Sequence, residues 1–332
     1  MDIMQEIFRK AKSNPQLIAF PEVEEEKILK SVREAKNLGI CEPVLVGKKS
    51  EIRKYSHQYG IDLDDIKTVD CEDEEWLDNL IQNYVEKYPI NTVKTMKRKS
   101  KDSLYVALMM EALDEVDATF AGMSHTTGEV IMAAQLVVGL QEGITTISSV
   151  GIANIPGYNG PEGQLLVIGD SAVCVDPSEE DLASIAISAC DTAKTLLGWE
   201  PRCALISFST TGSNEHPLVD KVRKAVEIAN KLRPDLKIDG EFQLDAAICP
   251  DVAAKKVTRS SEVAGKANIL IWPDLNVGNV AVKLLQQFGK ADAYGPILQG
   301  FKKIVCDCSR SAPISEILGN IAISAVRAQG GK

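Results

Sequence analysis

Short apolar runs alternate with amphipathic stretches from one end of the chain to the other, and this alternation restricts the fold more than any other feature. A strand covered on both faces reads as a continuous apolar run, whereas a helix packed against it shows an apolar stripe at helical spacing. A repeated strand–helix order therefore predicts mostly parallel sheets with helices on both faces, an α/β fold. Residues 17–20, 43–46, 118–121 and 146–149 read as strands of the first half. Between the first two, residues 24–38 set Ile28, Val32, Ala35 and Leu38 at helical spacing and are followed by Gly39, a favoured stop signal.

Between residues 149 and 169 the character changes. Gly151, Pro156, Gly157, Gly160, Pro161 and Gly163 crowd a segment that reads as an irregular crossing or hairpin loop and matches neither a dinucleotide nor a P-loop fingerprint. A domain boundary is expected at its start. Beyond it, Ser178 and three acidic residues open a helix with an apolar stripe of Leu182, Ile185, Ala186, Ala189, Ala193 and Leu196 before Gly198. Residues 203–208 form a buried strand running into the hydroxyl-rich turn Ser209-Thr210-Thr211-Gly212-Ser213. Open α/β sheets bind ligands at such carboxyl ends of strands. The same hydroxyls are equally suited to satisfying the turn's own backbone. A further strand at 269–272 ends in Pro273-Asp274-Leu275-Asn276, which again puts polar groups on a sheet-supported loop.

With 332 residues, 45% of them hydrophobic and 25% charged, the chain has the balance of a soluble globular protein with room for two domains. No run of about 18 apolar residues occurs, and residues 1–12 are charged and amphipathic, so a cytoplasmic protein is expected. The net charge of -10 argues against nucleic acid or an anionic membrane as partner. The basic cluster Lys97-Arg98-Lys99 with Lys101 reads as a solvated face or a contact to a phosphorylated ligand. Eight cysteines show no CxxC spacing, and none of the three histidines lies beside Cys306-x-Cys308, so no metal is expected.

The sharpest chemical signal is Cys308-Ser309-Arg310-Ser311-Ala312-Pro313 near the C-terminus. Pro313 is suited to opening a helix. The first N–H groups of a helix lack internal partners and carry the positive end of its dipole, so an anion is stabilised there, and a guanidinium adds a bidentate grip. The alternative is that Ser311 caps the helix while Arg310 faces solvent.

Several segments match one family in order along nearly the whole chain: 18–22 (Ile-Ala-Phe-Pro-Glu), 42–47, Ser124-His125-Thr126-Thr127-Gly128, 206–210, 239–247, 273–276 and 295–300. Together they resemble the phosphate acetyl/butyryltransferase family, most weakly between about 71 and 118. The resemblance implies two α/β domains with an isocitrate/isopropylmalate dehydrogenase-like architecture and an active-site cleft between them. The last helices would return to the first domain, giving domains of 1–148 with 304–332 and of 149–303. It further implies a homodimer and reversible transfer of an acetyl or similar short acyl group between CoA and phosphate. Acyl-CoA, CoA, phosphate and acyl phosphate would be the partners, and CoA would be a substrate with no cofactor beside it.

By the same resemblance, Ser309 and Arg310 match the active-site serine and arginine. Glu316 stands where the family has an aspartate thought to act as base toward the CoA thiol. Thr126, Thr127, Ser209, Thr210 and Asn276 fall in matching segments as substrate-binding candidates. Three family arginines are replaced, at Lys87, Met132 and Gln287. Lysine supplies only a point charge and methionine none, so other cations (Lys94, Lys97, Arg98 or Arg259) would have to substitute, or the substrate would differ. Met132 would either line the pocket for a longer acyl chain or form the buried face of its helix. A non-catalytic acyl-CoA-binding homologue and a dehydrogenase of the shared architecture are the competing readings, the second set against the missing nicotinamide fingerprint.

Overall fold

The structure, a computed structural model, describes residues 3–330 and divides into two compact units: residues up to Gly139 together with those from Phe301, and Leu140–Gly300. The chain begins the first unit with strands β1 (Leu17–Phe20), β2 (Glu42–Gly47), β3 (Lys67–Asp70) and β4 (Ala118–Ala121). It then builds the second with β5 (Ser148–Asn154), β6 (Leu165–Gly169), β7 (Arg202–Ile206), β8 (Lys237–Phe242), β9 (Ile269–Ile271) and β10 (Asp292–Gln299), and returns to add β11 (Ile304–Asp307) to the first sheet.

The first sheet has the order β11-β4-β1-β2-β3, and every neighbouring pair is parallel. Its central strands are buried on both faces: Ile18, Ala19 and Phe20 are fully enclosed, and Phe20 packs on Phe120 with ring centroids 5.5 Å apart. Helix Glu26–Leu38 turns Ile28, Val32 and Ala35 into the core and ends at Gly39, whose φ of 68° needs no Cβ. Starting from β1, the chain adds β2 and β3 to one side and β4 and β11 to the other. The gap between β1 and β4 is thus a topological switch point, where neighbouring loops leave the sheet in opposite directions and open a crevice.

The second sheet runs β10-β5-β6-β9-β7-β8, with β5 antiparallel to both neighbours and the remaining pairs parallel. Phe242, Leu270, Ile168 and Trp272 centre its core. The expected helix at 178 begins with a capping box in which Ser178 and Asp181 satisfy each other's backbone. Its whole apolar stripe is buried as read.

Four expectations need correction. The strand read at 146–149 starts at Ser148 and continues to Asn154, entirely within the second sheet, because β10 and β6 supply hydrogen-bonding edges on both sides. The units accordingly cross at Gly139 rather than after 148, and at Gly300 rather than after 303. The glycine-rich stretch does make the expected hairpin, joining antiparallel β5 and β6, but Gly151 lies inside β5 and pairs with Ile168 instead of belonging to the loop. At the last helix, Ile314–Gln329, Pro313 occupies the capping position with extended backbone instead of the first helical turn, and Ser311 does not cap.

Candidate active site

At the switch point of the first unit, β1, β4 and β11 release their chains at one edge of the sheet. Glu22, two residues past β1 and 1% exposed, accepts hydrogen bonds from the backbone N–H groups of Gly122 (3.0 Å), Met123 (2.7 Å) and His125 (3.0 Å). It also contacts the His125 Nδ1 at 2.8 Å, and the other ring nitrogen meets Asp102 Oδ2 at 3.3 Å. Burial alone would raise the Glu22 carboxyl, but His125 and the three N–H groups prevail and hold it below its usual range. Asp102 and Glu22 together push His125 up to about 10, so at neutral pH it is an imidazolium donating from both nitrogens.

Asp307, the last residue of β11, accepts the Thr127 hydroxyl at 2.6 Å. Burial and the neighbouring Glu22 charge raise its carboxyl to about 6, against that hydrogen bond. Packing here leaves no slack. Gly122 has a φ of 110°, and a Cβ added to it would lie 2.4 Å from Asp307 Oδ1 and 2.5 Å from the Cys308 backbone nitrogen. Gly122→Ala is therefore expected to lower folding stability by about 2 kcal/mol or more, read as the urea midpoint, through strain and overlap with backbone.

The sequence-selected catalytic residues stand on this edge. Ser309 is exposed, with its Oγ 2.9 Å from Ser311 Oγ. Arg310 is exposed too, and its guanidinium touches only the Ser124 carbonyl, at 3.4 Å, with no ion-pair partner among the described residues. The Lys27 ammonium donates to the carbonyls of Arg310 (3.4 Å) and Ala312 (3.2 Å), adding a cation that no sequence motif marked. Glu316 lies exposed in the first turn of Ile314–Gln329. Thr126 forms a capping box with Glu129 at the head of helix Thr127–Val137. The amino ends of three helices, Glu26–Leu38, Thr127–Val137 and Ile314–Gln329, thus begin just after β1, β4 and β11, which suits this edge to an anion.

The remaining candidates separate into different situations. Met132 is 63% exposed, so it is not the buried face of its helix; Val130, Ala133, Ala134 and Val137 form that face. Lys87 is engaged by Asp114 (3.1 Å) and the Ala112 carbonyl (2.9 Å). Two of the suggested substitute cations are likewise committed, Lys97 to Asp78 (2.8 Å) and Arg259 to Asp239 (2.6 Å) and the Gly240 carbonyl (2.9 Å).

In the second unit, Ser209 and Thr210 are buried and serve their own turn. Ser209 Oγ donates to Glu241 (2.9 Å) and accepts from the Asn214 N–H (3.2 Å), while Thr210 Oγ1 accepts from the Gln243 N–H (2.9 Å). Asn276 lies on a groove of about 760 Å³ at the carboxyl ends of β7, β8 and β9, walled mainly by apolar side chains such as Phe208, Leu218, Leu244 and Trp272. Gln287 ends helix Leu275–Gln287 exposed, its carbonyl accepting from Lys290.

Sequence reading did not assign roles to Glu22, Asp102, His125, Asp307 or Lys27. Two of them, Glu22 and His125, belong to segments that carried the family resemblance, and that was the available signal.

A family model described as phosphate acetyl/butaryl transferase matches residues 2–325. The chain belongs to this family. It is 41% identical to the phosphate acetyltransferase of Thermoanaerobacterium thermosaccharolyticum, over 99% of this chain and 100% of that one. To the phosphate acetyltransferase of Clostridium acetobutylicum it is 38% identical over all of both chains. Its fold superposes on a phosphotransacetylase from Streptococcus pyogenes with a TM-score of 0.89 at 33% identity, covering 98% of each. The protein is accordingly an acyltransferase enzyme, and the competing dehydrogenase reading falls away.

Proposed function

We propose that the protein transfers an acetyl or closely related short acyl group reversibly between CoA and orthophosphate, at the edge formed by Ser309 and Arg310. The observation that carries this reading is the exposed Arg310 guanidinium, which has no ion-pair partner among the described residues and stands on the residue after Ser309 at the approach to helix Ile314–Gln329, in a chain matched end to end by phosphate acetyltransferases. Arg310 binds phosphate and Ser309 hydrogen-bonds the reacting oxygens. An oxygen of hydrogen phosphate attacks the thioester carbonyl, the new C–O bond forms as the C–S bond breaks, and the proton that hydrogen phosphate gives up passes through Glu316 to the departing CoA thiolate. In the reverse direction Glu316 accepts the thiol proton as the sulfur attacks the acyl carbon of acyl phosphate, the C–O bond breaks, and the proton leaves with hydrogen phosphate. Ser309 stays unacylated, since no histidine lies within its hydrogen-bond reach among the described residues. The chemistry asks for no metal or covalent cofactor, and CoA enters as substrate or product.

Incubating the purified protein with acetyl-, propionyl- and butyryl-CoA plus phosphate while following free thiol tests this directly; no thiol release from any of them removes the reading. The exposure of Met132, where the family has an arginine, favours a further outcome, in which propionyl- or butyryl-CoA outperforms acetyl-CoA.

We also place the protein in the cytoplasm as a homodimer. Support for the dimer is the run of exposed apolar side chains Leu218, Val277, Val280, Leu284 and Phe288 beside the groove of the second unit. Val280→Asp combined with Leu284→Asp is expected to yield monomers by analytical ultracentrifugation at micromolar concentration, where the parent chain sediments as a dimer.

A further inference from the structure

Two charged clusters flank the loop after β4: the exposed Ser309–Arg310 pair, and the Glu22–His125–Asp102 triad behind it. The triad has no role in the transfer steps above, yet its geometry is more constrained than that of any residue in them. Glu22 and His125 stand 103 residues apart in the chain and Asp102 a further 23 from His125, so each contact ties a different loop. Glu22 belongs to the loop after β1, Asp102 caps helix Ser103–Ala112, and His125 lies between the two glycine- and threonine-directed turns that end β4 and begin helix Thr127–Val137.

We propose that His125, gripped between Glu22 and Asp102, is a positioning residue of the transfer site: it fixes the 122–127 loop and, through the Ser124 carbonyl, the Arg310 guanidinium in the geometry that binds phosphate. This rests on the assignment of phosphate to Arg310. The chain of contacts is continuous. Glu22 gathers three N–H groups of the loop and the imidazole, the imidazole reaches Asp102, the intervening Ser124 offers its carbonyl to Arg310, and Thr127 ties the far end of the loop to Asp307 at the foot of the Ser309–Arg310 turn. Arg310 makes one weak contact of its own, so the position of its head group is set by whatever sets Ser124.

The charge state follows from the surroundings. From the side of β1, Glu22 faces the ring, and Glu24 and Glu25 accept the hydroxyl of the adjacent Ser124. Asp102, with Lys99 nearby, faces it from the helices before β4, and Glu129 from helix Thr127–Val137. Beyond β11, Asp307 and Arg310 complete the set. Negative groups outnumber positive ones, so the ring stays protonated through neutral pH, and both its nitrogens keep donating.

Two variants test the assignment. His125→Asn retains a donor toward Glu22 but loses the reach to Asp102 and the positive charge. It is expected to raise the phosphate KM by about tenfold or more while the acyl-CoA KM stays within about twofold. Asp102→Asn keeps an acceptor for the Leu104 N–H at the helix cap and leaves the ring with Glu22 alone. His125 then loses its proton at lower pH than in the parent, so kcat/KM for phosphate, taken as a ratio to the parent at each pH, is expected to fall as pH rises above neutral; a ratio that stays constant with pH counts against the assignment. A purely structural histidine would lower thermal stability in both variants and leave the phosphate KM and the profile unchanged, and that result overturns the proposal. If His125→Asn does not fold, the Asp102→Asn profile decides alone, because that carboxylate is partly exposed and the amide keeps its cap bond. A parent enzyme that releases no thiol from any acyl-CoA defeats the transfer reading and this inference together, whereas an active parent with an unaltered phosphate KM in His125→Asn defeats the inference only.

Discussion

Replacing Arg310 by alanine is expected to raise the phosphate KM and lower kcat at once, with a loss of about 10² to 10³ in kcat/KM. The guanidinium is exposed, held by a single 3.4 Å contact to the Ser124 carbonyl, and unpaired with any carboxylate among the described residues, so its hydrogen-bonding capacity is available for a ligand. A phosphate dianion is bound in the ground state and again as an acyl phosphate forms, and the same fork of donors serves both. Removing it costs interaction in both states, unlike a residue that contacts only the resting substrate. A charge-assisted bidentate contact is worth about 3 to 4 kcal/mol when its partner is left unpaired, which is the stated loss in rate terms. Arg310→Lys should recover only part of it, because an ammonium on a flexible stem lacks the planar fork. Steady-state kinetics with varied phosphate checks the expectation, and wild-type constants in Arg310→Ala would show that phosphate binds elsewhere.

The second large effect concerns stability. Glu111, in helix Ser103–Ala112, is fully enclosed behind β4 and β11. Burial drives its carboxyl up to about 8, with Thr119 and the charges of Lys303 and Arg327 offsetting only part of that. The folded state therefore binds this proton more tightly than the unfolded chain, in which a glutamate titrates near its ordinary value of about 4.3. Between those two values the unfolded state gives up the proton while the native state keeps it, so stability falls as pH rises from about 4.5 to 8, and the loss is complete above that. Its full size is on the order of 3 to 5 kcal/mol. Glu111→Gln keeps the shape and removes the titration. Its urea-derived stability should match the parent near pH 5 and exceed it by an amount approaching that figure at pH 9. His125, whose raised value also makes stability decline toward high pH, contributes equally to both proteins and cancels in the difference. A difference that does not change with pH would mean Glu111 is not the titrating group.

The pairing of these two sites shows how electrostatics divides labour within one sheet. Glu22 and Glu111 are both buried carboxylates of the first unit, yet they are displaced in opposite directions. Glu22 meets three backbone N–H groups and an imidazolium at the open end of the strands, where β1 and β4 part. Glu111 sits against the closed face of the sheet, where strand backbone is already saturated by its neighbours and has few donors to offer. The first is held charged for the site; the second is kept neutral by the core.

Much of the architecture was legible in the chain because it is encoded locally. The apolar runs of β1 and β4 were bounded to the residue, and Gly39 and the Ser178 capping box marked helix ends, since a left-handed glycine and a hydroxyl–carboxylate pair act within one turn. Ser309, Arg310 and Glu316 were selected through the family resemblance, in a segment whose members are close in sequence, and their roles stand as the proposal above. What stayed open was equally physical. The Ser209 and Thr210 hydroxyls suit a ligand or their own turn equally well by sequence, and their bonds to Glu241 and the Gln243 N–H, more than thirty residues on, exist only in the fold. Met132 looks like core until the neighbouring apolar residues of its helix are seen to face the other way.

Sequence by itself determined that this is a two-unit α/β acyltransferase of the phosphate acetyl/butaryl transferase family, because short-range periodicity, caps and ordered motifs survive in any reading of the chain. Only the tertiary structure decided which strands are neighbours, and with that everything electrostatic: that Glu22 meets His125 across the gap between β1 and β4, that Lys87 and Arg259 are spent on Asp114 and Asp239, and that Arg310 has no ion-pair partner among the described residues. Charge interactions fall off over a few ångströms and depend on solvent exposure, and neither quantity exists until the chain has crossed back over itself.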